Sequence, residues 1–275
     1  MRADLHLHST YSDGFYSPDE ICRLAKKRGV ELLSVTDHDT MSGHSVKIEA
    51  AKKYGLKYLS GWEISAYENL EKVHVLGYGC KQSEKYEAFL SARKAASLAR
   101  AEESARKFRA IGIPLSMEDI DRERRDLSAP IHTMHVSRAA ARYLGIAPGE
   151  VYERYLSVGK PANSNLGRPT PFEAIDCIHS LGGVAVLAHP GRLTLSETDR
   201  EGLIKRLAAY GLDGIEVYYT THTERETAEF LDAARRFQLM VTGGSDTHVE
   251  DETHTIGKPC FIPDERLLNA VEIFG

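Results

Sequence analysis

No apolar run in this 275-residue chain approaches the ~20 residues that a membrane-spanning helix needs, and the mean hydropathy is −0.35. No membrane partner is therefore expected. Cysteine is scarce: Cys22, Cys80, Cys177 and Cys260 lie far apart with no C-x-x-C pair, which fits neither a disulfide framework nor a thiolate zinc site. Buried, reduced thiols are expected instead. No charge of one sign dominates, since 35 Lys+Arg stand against 40 Asp+Glu for a net −5, which argues against a protein that holds nucleic acid by bulk charge. Glycine and proline, at 22 and 10, are too few for collagen-like or low-complexity chains. Residues 1–6 carry no basic-then-apolar leader, so a cytoplasmic location is expected, and no obligate protein partner is evident.

What the chain has in quantity is histidine, twelve in all. Around them, short apolar runs alternate with amphipathic helical stretches, the pattern of βα units in an α/β protein. Strands are predicted at 3–8, 32–37, 56–64, 73–78, 184–189, 214–218 and 239–244. Ser17-Pro18-Asp19-Glu20 and Thr170-Pro171-Phe172-Glu173 read as capping boxes, predicting helices 18–28 and 171–181 that stop at Gly29 and Gly182. Residues 83–168 break the alternation with dense charge and helix formers. They are expected to form a helical insertion after the fourth strand, leaving 1–82 and 169–275 as a discontinuous main domain.

Histidine and carboxylate residues gather where the strands end. His6 and His8, two apart on one strand, point to the same face. Asp13 follows in the loop Ser12-Asp13-Gly14, and His38, Glu63, His74, His189, Asp246 and His248 at successive strand ends or within strands. In a parallel barrel such ends open on one mouth. Three carboxylates in a partly desolvated mouth would repel one another unless divalent cations neutralise them, and this mixed donor set suits Zn, Mn or Fe.

Seven ordered segments resemble the successive motifs of the PHP (polymerase and histidinol phosphatase) family, with the nearest similarity to its stand-alone, TrpH-like phosphoesterases. They are Asp4-Leu5-His6-Leu7-His8-Ser9, Ser12-Asp13-Gly14, Thr36-Asp37-His38-Asp39, Gly61-Trp62-Glu63-Ile64-Ser65, Val73-His74-Val75-Leu76-Gly77-Tyr78, Leu187-Ala188-His189-Pro190-Gly191 and Gly243-Gly244-Ser245-Asp246-Thr247-His248. The resemblance implies a distorted seven-stranded β/α barrel of PHP type with two or three metals at its mouth. All nine residues match the family's metal-ligand pattern, with Glu63 expected to bridge two metals. Trp62 departs from the usual small residue and is expected to narrow the mouth.

The resemblance also implies substrate contacts from His135 and Arg138, from Lys160, and from Arg192. His222 is a candidate proton donor to the leaving alkoxide and a substrate contact. Asp39 is a candidate for positioning water or the leaving group, and Tyr218 or Tyr219 for flanking a base or sugar. His44, His132, His179 and His254 have no expected chemical role, with His132 and His254 read as structural or surface residues.

The leading expectation is hydrolysis of a small nucleotide or sugar phosphate by attack of a metal-bridging hydroxide, first of all the 3′-phosphate of a nucleoside 3′,5′-bisphosphate. Opening of a small cyclic phosphate and 5′→3′ trimming of short RNA are alternatives. Amidohydrolase-like C–N chemistry and a noncatalytic metal-binding module are readings of other classes.

Overall fold

Both capping boxes close as their residues require. In a computed structural model, which describes residues 1–69, 71–127 and 129–275, Ser17 Oγ accepts the Glu20 N–H at 3.3 Å while the Glu20 carboxylate accepts the Ser17 N–H at 2.8 Å. Thr170 and Glu173 repeat the exchange at 3.2 and 2.7 Å. Each reciprocal cap satisfies N–H groups that an opening helix leaves unpaired.

The elements in chain order are β1 (Ala3–Asp4), α1 (Pro18–Lys27), β2 (Leu32–Leu33), α2 (His44–Lys53), β3 (Lys57–Leu59), β4 (Gly61–Glu68) and β5 (Glu71–Tyr78). Helices α3 (Glu84–Ala110), α4 (Met117–Asp121), α5 (Thr133–Leu144) and α6 (Pro148–Val151) come next, the last running into a π-helical turn at Tyr152–Leu156. The chain then returns through α7 (Pro171–Ser180), β6 (Val184–Leu187), α8 (Glu197–Tyr210), β7 (Gly214–Tyr219), α9 (Glu224–Arg236), β8 (Met240–Gly244), α10 (Glu265–Ala270) and β9 (Ile273–Phe274). No helix among the described residues is long and apolar enough to cross a membrane.

The fold is α/β, with two mixed sheets ordered β1-β2-β3-β9 and β4-β5-β6-β7-β8. The strand count and pairing differ from the expected seven-stranded barrel in three ways. The run predicted at 56–64 divides at Ser60 into β3 and β4, and the C-terminal β9 pairs antiparallel with β3. Strands β4 and β5 form an antiparallel hairpin in which Glu68 pairs with Glu71, and β5 is again antiparallel to β6. A parallel pairing needs a crossover of a dozen or more residues, which the chain between β4 and β5 does not contain.

The two sheets meet at both flanks. On one, Asp39 N–H donates to Glu63 O at 2.8 Å and Glu63 N–H to Asp37 O at 3.1 Å. On the other, Leu5 N–H reaches Gly243 O at 3.1 Å and Asp246 N–H reaches His6 O at 2.8 Å. Helices α7, α8 and α9 pack their apolar faces on the larger sheet through Ile175, Ile178, Leu203, Leu207 and Phe230, while α1 and α2 cover the smaller through Ile21, Ala25 and Ala51.

Residues of 101–162 build a separate apolar cluster that includes Phe108, Leu115, Val136 and Leu156. Among the cysteines, Cys22 and Cys80 are buried and Cys177 is half-buried. Cys260 is exposed, contrary to expectation, because it lies in irregular backbone after β8.

Candidate metal centre

The Glu63 carboxylate is the hub of the site. Its Oε1 lies 2.6 Å from His74 Nδ1 and 3.1 Å from His189 Nε2. Its Oε2 lies 2.9 Å from His38 Nδ1 and 3.3 Å from both His6 Nε2 and His8 Nε2. Asp246 Oδ1 faces His8 Nε2 at 3.0 Å and His6 Nε2 at 3.4 Å, and Asp13 Oδ1 faces His248 Nε2 at 3.3 Å.

Three overlapping groups result: His8, Asp13, His38 and His248; His6, His8, Glu63 and Asp246; and His38, Glu63 and His74. Eight of the nine expected ligands fall in these groups, and His189 touches their shared glutamate.

The donor atoms fit divalent ions by what they lack. His6 Nε2, both nitrogens of His8, His38 Nδ1, His74 Nε2, Asp13 Oδ1, Glu63 Oε2 and Asp246 Oδ1 are all buried without a hydrogen-bond partner. Buried polar atoms are rarely left so, and here His6 Nε2, His8 Nε2 and His38 Nδ1 converge on Glu63 Oε2, the first two also on Asp246 Oδ1. Imidazole and carboxylate together suit Zn, Mn or Fe.

The electrostatics agree. Burial would push the Glu63 carboxyl up, but His74, His6 and His38 hold it well below the usual carboxylate range. Burial likewise opposes ionisation of Asp246 and Asp13, yet His6 and His248 respectively draw them well down. Against burial, Asp246 and Glu63 raise His8 to about 9. The surrounding imidazoles thus favour the anionic carboxylates, although burial pushes His38 and His74 themselves toward the neutral form that ligates a metal.

The backbone is shaped to allow this crowding. A Cβ at Gly244 would collide with His6, and one at Gly14 would collide with the His8 carbonyl. Asp39, His189 and Asp246 adopt φ of 53°, 27° and 51°, a region that L-residues avoid unless surrounding contacts hold them there.

Three residues without an expected role support the expected ligands. Glu216 accepts from His6 Nδ1 at 3.0 Å and from the His189 N–H at 2.7 Å. Asp37 accepts from Ser9 N–H, Ser9 Oγ and Ser12 Oγ at 2.8, 2.7 and 2.6 Å, and Lys47 Nζ, buried, pairs with it at 2.6 Å. These contacts hold the turn that carries Asp13. The signal available in sequence was position: Glu216 sits on a strand ending at the same mouth, and Asp37 directly precedes His38.

The expected substrate residues divide. Arg192 Nη1 donates to Tyr219 Oη at 3.1 Å and pairs with Asp246 at 3.2 Å, with 53% of its side chain exposed at the rim. Arg138 Nη2 donates to the Asp13 carbonyl at 2.8 Å. His135 Nδ1 accepts the His132 N–H at 3.1 Å. Lys160 is exposed.

His222 differs from expectation. Its Nδ1 donates to Val217 O at 2.9 Å and its Nε2 accepts the Gly191 N–H at 3.1 Å, a tautomer with no proton left for a leaving group. It fixes the turn after His189. Asp39 also differs: its carboxylate accepts the Ser65 N–H at 3.0 Å and pairs with Arg168 at 3.6 Å.

Trp62 points away from the mouth and packs on Gly77, Tyr86 and Phe89, because it alternates with the inward Glu63. Of the expected tyrosine pair, Tyr219 is the one at the centre, donating to Asp246 Oδ2 at 2.9 Å. His132, expected in a surface or structural role, is buried with its ring 5.6 Å from that of His38 and its Nε2 unpartnered.

Comparison with known proteins decides the family. The model of the PHP domain matches residues 4–122. A 5′-3′ exoribonuclease of Haemophilus influenzae is 32% identical over 89% of this chain and 89% of its own length. The chain belongs to the PHP family.

Two further relatives are similar at the same level. A phosphoribosyl 1,2-cyclic phosphate 1,2-diphosphodiesterase of Eggerthella lenta is 32% identical over 90% of this chain and 94% of its own. A 3′,5′-nucleoside bisphosphate phosphatase of Chromobacterium violaceum is 32% identical over 90% and 88%. Among solved structures, a Chromobacterium violaceum amidohydrolase bound to sulfate without metal superposes with a TM-score of 0.87 at 29% identity, covering 98% of this chain and 97% of that one. This PHP protein is an enzyme, a hydrolase of phosphate esters.

Proposed function

We propose that the enzyme removes the 3′-phosphate of a nucleoside 3′,5′-bisphosphate at a centre of two or three divalent ions held by His6, His8, Asp13, His38, Glu63, His74, His189, Asp246 and His248. The observation that carries this reading is the convergence of buried, unpartnered donor atoms of His6, His8 and His38 on Glu63. We read the two sheets, joined at both flanks, as one distorted barrel with 83–168 as its helical insertion.

Bound divalent ions lower the pKa of water and neutralise charge on a phosphate in flight. The chain supplies the rest. Glu216 aims His6 inward, and Asp37 with Lys47 fixes the turn bearing Asp13. Arg192, pinned at the rim by Tyr219 and Asp246, is placed to take a nonbridging phosphate oxygen, for which a planar guanidinium is suited. Arg138, His135 and Lys160 present further donors from the insertion side, and Asp39 acts by holding Arg168.

Phosphorus NMR of products from Mn-loaded protein tests this reading. Adenosine 3′,5′-bisphosphate should yield inorganic phosphate and adenosine 5′-monophosphate, and His8→Asn should abolish the reaction. Conversion of a cyclic sugar phosphate or of short 5′-phosphorylated RNA, with the bisphosphate untouched, would replace it with one of the activities that the relatives carry.

A further inference from the structure

The inner face of the β4–β5 hairpin does not end at the metal centre. Strand register pairs Ser65 with His74 and Tyr67 with Lys72, so side chains alternate and Lys72 follows His74 on one face, about 7 Å along the strand. Lys72 Nζ stands 5.7 Å from the ring centroid of Tyr152, across from the barrel on the insertion. Among the described residues, the Lys72 ammonium has no hydrogen bond or ion pair. The acids beside it on the hairpin are committed elsewhere: Glu68 to Arg206 at 2.5 Å, and Glu71 to Thr194 N–H and Oγ1 at 2.8 and 2.6 Å.

A second cation closes the same space. The Arg168 guanidinium lies over the Tyr67 ring, 5.5 Å from its centroid, on a segment tied to the hairpin by Tyr67 N–H donating to Pro169 O at 2.8 Å. Its side chain is only 7% exposed and its Nε is buried without a partner. Asp39 offers it one ion pair, at 3.6 Å. Arg100, deeper in the insertion, is pushed down to about 9 by burial and by Arg168. Lys72, Arg100 and Arg168 thus gather positive charge between barrel and insertion, with Asp39 paired to Arg168. Such a desolvated cluster is costly unless a ligand supplies the missing charge.

We infer that Lys72 and Arg168, with Tyr152 as the facing wall, seat the phosphate of the substrate that does not react. The inference rests on the phosphoesterase reading above and names the group that selects its substrate. It places recognition of the second phosphate on the hairpin side of the mouth, away from Lys160. Lys72 supplies a point charge and Arg168 a forked donor set, the two usual modes of phosphate recognition. The site lies beyond His74 on the same face, so one ligand can span it and the metal centre.

The test compares adenosine 3′,5′-bisphosphate with adenosine 3′-monophosphate on the Mn-loaded full chain. Lys72→Met, which keeps the stem packed on Tyr152, should lower the ratio of the two kcat/KM values at least tenfold, and Lys72→Arg should restore most of it. An unchanged ratio in Lys72→Met overturns the inference. If no phosphoester is hydrolysed, the functional reading falls and calorimetry decides the inference alone. The wild-type chain should bind adenosine 5′-monophosphate at least tenfold tighter than adenosine, with that preference lost in Lys72→Met. No preference in the wild type, or the same preference in both proteins, overturns it.

Discussion

The Glu216 carboxylate holds His6 from behind, its oxygens 3.0 and 3.2 Å from Nδ1, so that Nε2 faces Glu63 and Asp246. A carboxylate behind a ligating imidazole fixes its tautomer and raises its basicity. Glu216→Gln should therefore weaken metal binding by about 10–100-fold while the fold persists. Competition with a chromogenic chelator reads this directly, and equal affinity in variant and wild type would show that Glu216 only fills space.

Lys47 and Asp37 form a buried ion pair beneath the turn that carries Asp13. Removing one partner strands a buried charge, at a cost of about 3–5 kcal/mol. Urea unfolding of Lys47→Met should show a loss in that range. A loss under about 1 kcal/mol would mean that Ser9 and Ser12 satisfy Asp37 unaided.

His135 is buried, and burial pushes its imidazole down to about 4. An unfolded histidine titrates near ~6.5, so on acidification the unfolded chain takes up this proton first. The contribution is complete above pH ~6.5 and is lost as pH falls toward about 4, by about 3 kcal/mol in all. His135→Gln should lose correspondingly less stability than wild type between pH 7 and pH 4.5 in urea titrations. Equal losses would contradict the assignment.

Strand ends were legible because His6, His8, Glu63 and Asp246 interrupt apolar runs, and helix starts because Ser17 and Thr170 announce their caps. The hairpin was less so. Alternation marks a buried strand without giving its direction, and only the short spacing between β4 and β5 rules out a crossover. The same alternation, applied at Trp62, would have turned it outward from Glu63. Pair partners far apart in sequence, such as His6 with Glu216 or Asp39 with Arg168, are set by sheet closure and insertion packing. His222 shows the limit of residue type alone: an imidazole at the mouth is no acid when the backbone takes both its nitrogens.

Elemental analysis of the purified chain after metal loading and gel filtration tests the central claim most directly. Two or three divalent ions per chain are predicted, falling in His8→Asn. Fewer than two per chain in the wild type would contradict a polynuclear centre built on Glu63.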